Sequence, residues 1–516
     1  METRADHHKR PPSHDPSPVA AGRYPRWVLL ENDAPCKDAD PKTVASARTY
    51  GGHPVRFSFS LAAPPAVSRL HVDIDGDEIY PRILAAHGDS VLVKIRTTNQ
   101  AAYDLGNGDR SEYFVYCAGD AAANPSRPPS LSLLPPCYLT EQKEGRRDKK
   151  RCMPEHGTGV LRRGTDEMLV AALDFLCTDE GASKPAEAEL CMLRSGRWEW
   201  DLKRLNVIHD EAKQQEVSCW DTDKVIPVGD QFLFWVDYYR GIIYSDVWEE
   251  TPELRYISLP VKPDPRSYHK YGRGVSSYRT VCAADGGGAV RFVEVFPRCC
   301  CGCRGTTFCT RSSYAFNITT WALRMDDMTT WDKVGVVDCN ELWSLPGYKG
   351  VVPRIIPKYP TMSIDDPNVL CFMVRKIEKH EDDVEGDLAI RLIEFDTRLI
   401  ELRSIFYYEG TYCCTPNFVA SAFSQYFNAS SRSRHPVVKS HKQEARPIKP
   451  SFPEVATKVL PGEMLTMLRE IPDLPRDDMM RIYRVLACDE SQFKFRCLLA
   501  LPMDMRKGYC LLLMGY

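Results

Sequence analysis

From Trp27 to about residue 425, apolar side chains fall on alternate positions in short runs that end in Pro, Gly, Asp or Asn. HPVRFSFSLAAPP, DSVLVKIRTT, SEYFVYCAGD and GDQFLFWVDYYRGIIYSDVW are examples. A period of two places successive side chains on opposite faces of a strand, and turn-forming residues stop each run at roughly four to eight residues. The 3.6-residue period of a helix is missing over the same stretch. A chain written this way folds as a mainly β protein. Its 516 residues also exceed what one hydrophobic core serves, so several domains or one large repeat fold is expected.

A recurring phrase favours the repeat. Gly196-Arg197-Trp198-Glu199-Trp200, then Ile318-Thr319-Thr320-Trp321-Ala322-Leu323 with Trp331 after it, then Ile393-Glu394-Phe395-Asp396-Thr397, share one grammar. A strand carries an aromatic, a polar turn follows, and a second strand begins. The strongest copies lie about 120 and about 75 residues apart, with weaker strand pairs between them. Small sheets repeated radially give about 40–50 residues per blade, lengthened by loop insertions. The expected fold is a β-propeller-like array of about six or seven blades over residues 23–428, with two β-sandwiches as the alternative.

The ends read differently. Residues 1–22 are rich in Pro, His and charge and are expected to be disordered. Residues 429–452 form a basic linker, ASSRSRHPVVKSHKQEARPIKPS and one residue more. Helical grammar appears only in 453–516. Met464, Leu465, Leu468 and Ile471 share one helical face. Pro475 then opens a second helix with Asp477 and Asp478 in its first turn and an apolar stripe of Met479, Ile482, Tyr483 and Leu486. A short strand closes the chain.

Charge and cysteine usage narrow the function. The chain carries 67 Lys and Arg against 70 Asp and Glu, so nothing global draws it to nucleic acid or an anionic membrane. No apolar run approaches the length of a bilayer span, and the N-terminal residues lack a signal-peptide core. A cytoplasmic or nuclear setting is expected, with Arg146-Arg147-Asp148-Lys149-Lys150-Arg151 as a candidate nuclear-import cluster. In such a reducing setting most of the 20 cysteines act as small buried hydrophobes.

Several stretches invite a chemical reading. PRCCCGCRGTTFC gathers five cysteines between two strand-like segments. Cys300 and Cys303 form one knuckle and Cys309 supplies a third thiolate, so zinc is the cofactor to test. A redox-responsive pair within Cys299–Cys309 and a plain solvated hairpin loop are the other readings. Asp73, Asp75 and Asp77 imitate a calcium loop, but Glu78 stands where that loop turns on Gly and Leu84 where it needs a carboxylate. A hairpin turn at Asp75-Gly76 is expected instead. No G-x-S-x-G elbow and no H-E-x-x-H helix occurs. In WVDYYRGIIYSDVW, Asp237 and Arg240 are placed to pair across a turn that Gly241 completes with positive φ. Tyr238, Tyr239 and Arg240 are the candidate interaction surface, being residue types enriched at interface hot spots.

PVGDQFLFWVDYYRGIIYSDVW followed by ELRYISLP, the later TTWALRMDDMTTWDKVGVVDCNELW, and the ending DLPRDDMMRIYRVLACDESQFKFRCLLALPM resemble the plant domain-of-unknown-function family 1618, greatly expanded in grasses. The resemblance runs from about Trp27 to the C-terminus and is most specific within residues 227–345. The family also resembles the kelch-type propellers associated with F-box proteins, although no amphipathic F-box helices precede the β region here. The resemblance supports the fold and brings no established activity. The residues then point to a non-enzymatic adaptor that presents propeller loops to a protein partner. The alternative is a metal-binding or redox-responsive protein built on the cysteine loop. Partner identity and oligomeric state are not encoded in any motif.

Overall fold

The computed structural model describes residues 23–31, 39–74, 78–98, 110–123, 125–137, 152–175, 187–261, 272–284, 288–298, 314–378, 387–408 and 418–428, together with 468, 475, 479, 482 and 506. The chain divides into two compact units, Met1–Lys439 and Ser440–Tyr516.

Strands of the first unit, numbered in chain order, come in consecutive groups of four. The first group is β1 (Val28–Glu31), β2 (Ala45–Arg48), β3 (Pro54–Ser60) and β4 (Val67–Ile74). The second is β5 (Glu78–His87), β6 (Ser90–Thr98), β7 (Arg110–Cys117) and β8 (Ser130–Leu133). The third is β9 (Thr158–Arg163), β10 (Glu167–Phe175), β11 (Glu187–Arg194) and β12 (Trp200–Ile208). The fourth is β13 (Lys224–Val228), β14 (Phe232–Asp237), β15 (Gly241–Asp246) and β16 (Leu254–Ser258). The fifth is β17 (Arg279–Ala284), β18 (Ala289–Pro297), β19 (Phe316–Leu323) and β20 (Trp331–Asp338). The sixth is β21 (Lys358–Met362), β22 (Val369–Glu378), β23 (Asp387–Asp396) and β24 (Glu401–Tyr408), and β25 (Val419–Ser421) follows.

Groups two to six are antiparallel meanders. The third and fourth are continuous, because β12 and β16 pair in parallel through Val207↔Leu254 and Ile208↔Arg255. The first group departs from the meander. There β1 lies between β4, to which it is parallel, and β25, to which it is antiparallel through Val28↔Ser421 and Leu30↔Val419. Strands from the two ends of the unit thus complete one sheet.

Packing closes the ring. Each sheet buries both faces against its two neighbours. Phe57 and Phe59 of the first sheet meet Phe114 and Tyr116 of the second, and Val160 and Val170 of the third share a cluster with Leu92 and Val115. Trp235 fills the gap between sheets three and four, and Phe292 of sheet five joins Phe234 of sheet four. Phe316 and Phe372 pack between sheets five and six, while Leu29 of sheet one meets Leu392 and Tyr408 of sheet six. The last cluster returns to the first sheet, which two separate sandwiches would not do. The first unit is a propeller-like ring of six blades. First strands lie innermost, since β9 touches β5 and β13, and β17 touches β13 and β21. The alternation that builds the strands therefore buries both sets of side chains, one against each neighbouring blade.

Local expectations fare unevenly. The phrases around Trp321 and Phe395 are each a blade's third strand, turn and fourth strand. Trp198 instead sits in the β11–β12 turn, 41% exposed, and the strand begins at Trp200. The expected turn at Asp75-Gly76 lies outside the described residues; the strands before and after it, β4 and β5, belong to different sheets. In the second unit Leu468 and Ile482 are helical and buried, and the Met479 N–H donates to the Pro475 carbonyl at 2.9 Å. Among the described residues no helix is long and apolar enough to cross a membrane.

Candidate binding surfaces of the ring

Within a meander the first and third strands run the same way. The first-to-second and third-to-fourth turns therefore emerge at one end of the ring, and the second-to-third turns at the other. The β14–β15 turn is of the second kind. Its Asp237 is buried at the strand end and its carboxylate accepts from the N–H groups of Tyr239 and Arg240 at 2.9 and 3.0 Å. Arg240 pairs with the same carboxylate at 2.7 Å, the ion pair its spacing suggests. Burial pushes the Asp237 carboxyl up, against the charge of Arg240.

The three residues of the candidate interaction surface part company here. Tyr238 is buried in the core between sheets four and five, so it does not face solvent, and its carbonyl accepts from Arg279 at 2.6 Å. The period of two explains this, since Tyr238 continues the inward-facing row of Val236. Tyr239 and Arg240 remain half-buried, with the guanidinium 5.5 Å from the ring centre. Gly241 also plays a different part from the one expected. It is not among the glycines with positive φ. A Cβ there would stand 2.5 Å from the Ile257 carbonyl oxygen, so close approach of β16 excludes a side chain.

The cysteine-rich segment leaves β18 and returns to β19 at the same end, since Pro297 pairs with Phe316. A hairpin connection was expected from its flanking strands. Cys300, Cys303 and Cys309 lie outside the described residues, as does the rest of Cys299–Cys309. Arg298, just before it, forms an ion pair with Asp338 at 2.5 Å.

Among the described residues the Lys224 side chain links two opposite sheets. Lys224 of β13 donates to the Phe418 carbonyl, beside β25 on the opposite sheet, at 3.1 Å. Burial lowers the Lys224 amine's pKa, while burial pushes the nearby Cys282 thiol up to about 12. Cys282 faces the Met362 sulfur at 3.3 Å.

A more open site lies at the other end, between sheets three and four. Three turns converge on it: β9–β10, β11–β12 and the connection from β15 to β16. They enclose a cavity of about 470 Å³ with a wall made largely of charged side chains. Trp248 is its aromatic element, held by an indole N–H donated to the Asp230 carbonyl at 2.8 Å. The Arg163 guanidinium stands 4.2 Å from the centre of that ring. It also forks onto Glu167 at 2.6 and 3.1 Å, which holds the Glu167 carboxyl below its ordinary range. Arg194 donates to the carbonyls of Val247, Trp248 and Glu249, each at 3.0 Å, and so fixes the connecting segment of the next blade. Lys203 bonds the Glu250 carbonyl and approaches Asp201 at 3.8 Å.

None of these residues was read as a binding site from the sequence, although Trp248 ends the WVDYYRGIIYSDVW stretch and the β11–β12 turn carries one of the recurring phrases. Positions 163–167, 194–203 and 248–250 belong to three turns that only the ring brings together. The one local signal is the run Arg194-Ser195-Gly196-Arg197-Trp198, a turn carrying two guanidiniums and an exposed indole.

Comparison with known proteins bears on this region in one respect. Residues 235–371 match the family model described as "Protein of unknown function (DUF1618)", beginning at Trp235 within the segment of most specific resemblance. No curated protein matches the sequence. Among solved structures, phage phi92 endosialidase aligns at 8% identity and TM-score 0.31, over 84% of this chain and 80% of its own. The GH43 endo-arabinanase from Bacillus licheniformis aligns at 11% identity and TM-score 0.26, over 61% and 94%. The polysaccharide lyase Uly1 aligns at 11% identity and TM-score 0.26, over 73% and 84%. Likenesses this remote carry no argument about activity.

Proposed function

We propose that the protein is a non-enzymatic interaction scaffold that uses the turns at one end of its ring to bind a protein partner. The observation that carries this reading is the cavity between sheets three and four. Its guanidiniums are held in place before any partner arrives, Arg163 by Trp248 and Glu167, Arg194 by three carbonyls. Fixed side chains lose little freedom on binding, so contacts made there translate into affinity. Trp and Arg are also the residue types most enriched among interface hot spots. Loops positioned by a rigid ring commonly carry recognition. Tyr239 and Arg240 offer a smaller, half-buried second surface at the opposite end.

The test is capture from the source tissue with the purified full-length chain, followed by titration of each captured protein, itself purified, against the chain. Direct saturable binding by at least one of them is expected. If none binds directly, the scaffold reading is wrong.

A further inference from the structure

We infer that the cavity between the third and fourth sheets takes an acidic polypeptide segment, with Arg197 and Trp198 as its outer anchor. The inference rests on the scaffold reading and adds the chemistry of the partner.

The argument begins with charge. Arg163 is neutralised by Glu167, and Lys203 stands near Asp201. Arg194 is held by three carbonyls and forms no ion pair among the described residues, although its charge is felt by the Glu167 carboxylate. Arg197 lines the same cavity, is exposed, and forms no ion pair among the described residues. A guanidinium presents a planar fork that fits a carboxylate with two parallel hydrogen bonds, as Arg163 already does within the wall. Arg197 leaves that capacity open to an incoming group, whereas the fork of Arg194 is already spent on the three carbonyls.

The wall also carries acceptors. Glu167, Asp201 and Glu250 share the lining with the cations. A polynucleotide, with a negative charge on every residue, would find the cations of this wall largely matched already by carboxylates. A polypeptide brings its carboxylates interspersed with backbone N–H donors, so both signs of the wall find partners. The mixed lining therefore favours an acidic peptide over a nucleic acid.

The turn supplies the anchor. Trp198 has φ of 54°, the left-handed region that favours glycine, and follows Gly196 at 91°. Its indole is nonetheless 41% exposed, and it follows directly on Arg197 of the cavity lining. A bulky side chain in that conformation opposes folding, and outliers of this kind cluster at ligand clamps. Backbone strain and exposure at one residue fit a side chain kept for contact rather than for packing.

The experiment uses the full chain and fluorescent oligoglutamate, with oligoglutamine, oligolysine and oligouridylate as comparison probes, read by anisotropy. Oligoglutamate is expected to bind and to weaken as salt rises. Arg197→Glu with Lys203→Glu is expected to weaken it about tenfold or more. Trp198→Gly should weaken binding while leaving the melting temperature unchanged or higher, an outcome that a merely structural Trp198 would not give. Thermal melts of each variant show whether the ring is intact, and Arg197→Ala, at an exposed position, supplies a second variant. Equal binding of oligoglutamine, tighter binding of oligouridylate, or indifference to Arg197→Glu with Lys203→Glu would each overturn the inference. A purified partner that binds wild type and the charge-reversed variant equally would sink this inference while leaving the scaffold reading standing. Absence of any partner would remove the scaffold reading instead.

Discussion

Acidification should loosen the joint between the second and third blades through one imidazole. His87 ends β5, and its Nδ1 accepts the N–H of Arg162 in β9 at 2.9 Å, so the ring proton resides on Nε2. Arg162 binds Asp89 at 2.9 Å within the same joint. Burial and then the charge of Arg162 lower the His87 pKa from 6.5 to about 4. Because the folded value is the lower one, the unfolded chain binds this proton first. Stability is thus complete above about pH 6.5 and declines as the pH falls toward 4. A displacement of that size corresponds to about 3 kcal/mol at full protonation, and most of it is expressed by about pH 4.5. Protonation also forfeits the bond from Arg162, since Nδ1 can no longer accept.

The assay is urea unfolding followed by tryptophan fluorescence at about pH 7 and about pH 4.5, on wild type and His87→Asn. Asparagine offers an acceptor near the Nδ1 position and does not titrate. Carboxylates elsewhere change with pH in both proteins, so the difference between the two pH dependences isolates residue 87. Wild type should lose roughly 2 to 3 kcal/mol more than the variant over this interval. Equal losses, within about 0.5 kcal/mol, would refute the assignment of a neutral, half-buried imidazole at this joint.

Other outcomes follow from single contacts. Trp235→Ala removes a fully buried indole whose N–H reaches the Gly157 carbonyl at 2.9 Å; a loss of about 3–5 kcal/mol in chemical unfolding is expected. Gly241→Ala places a methyl against the Ile257 carbonyl and should destabilise by about 1–3 kcal/mol, read as a lower melting temperature. Arg240→Ala strands the buried Asp237 carboxylate and should lower stability by about 3–5 kcal/mol, with adding Asp237→Asn recovering part of it. Lys224→Met replaces an amine held by one carbonyl and should leave the melting temperature unchanged or raised.

Much of this molecule was legible before its structure. Alternation and turn residues suffice to mark the strands, because a period of two reflects the pleat itself and needs no knowledge of neighbours. The Asp237–Arg240 pair was legible for the same reason, its partners being three residues apart. The helical character at Leu468, Met479 and Ile482 follows from spacing alone. Where a reading required knowing what lay across from a residue, it failed. Asp75-Gly76 has the composition of a hairpin turn, yet pairing assigns its flanking strands to different sheets. Tyr238 has the composition of a hot spot, yet the adjoining blade covers it.

Strand identity, turn positions and mainly β character were local properties, set by each residue and its near neighbours along the chain. Closure was not, because β1 and β25 meet from opposite ends of the unit. The requirement for Gly241 came from the carbonyl of Ile257 on another strand, and the cavity came from three turns separated by tens of residues. Such features depend on distances through space, which loop lengths along the chain do not encode, and so the ring alone decided them.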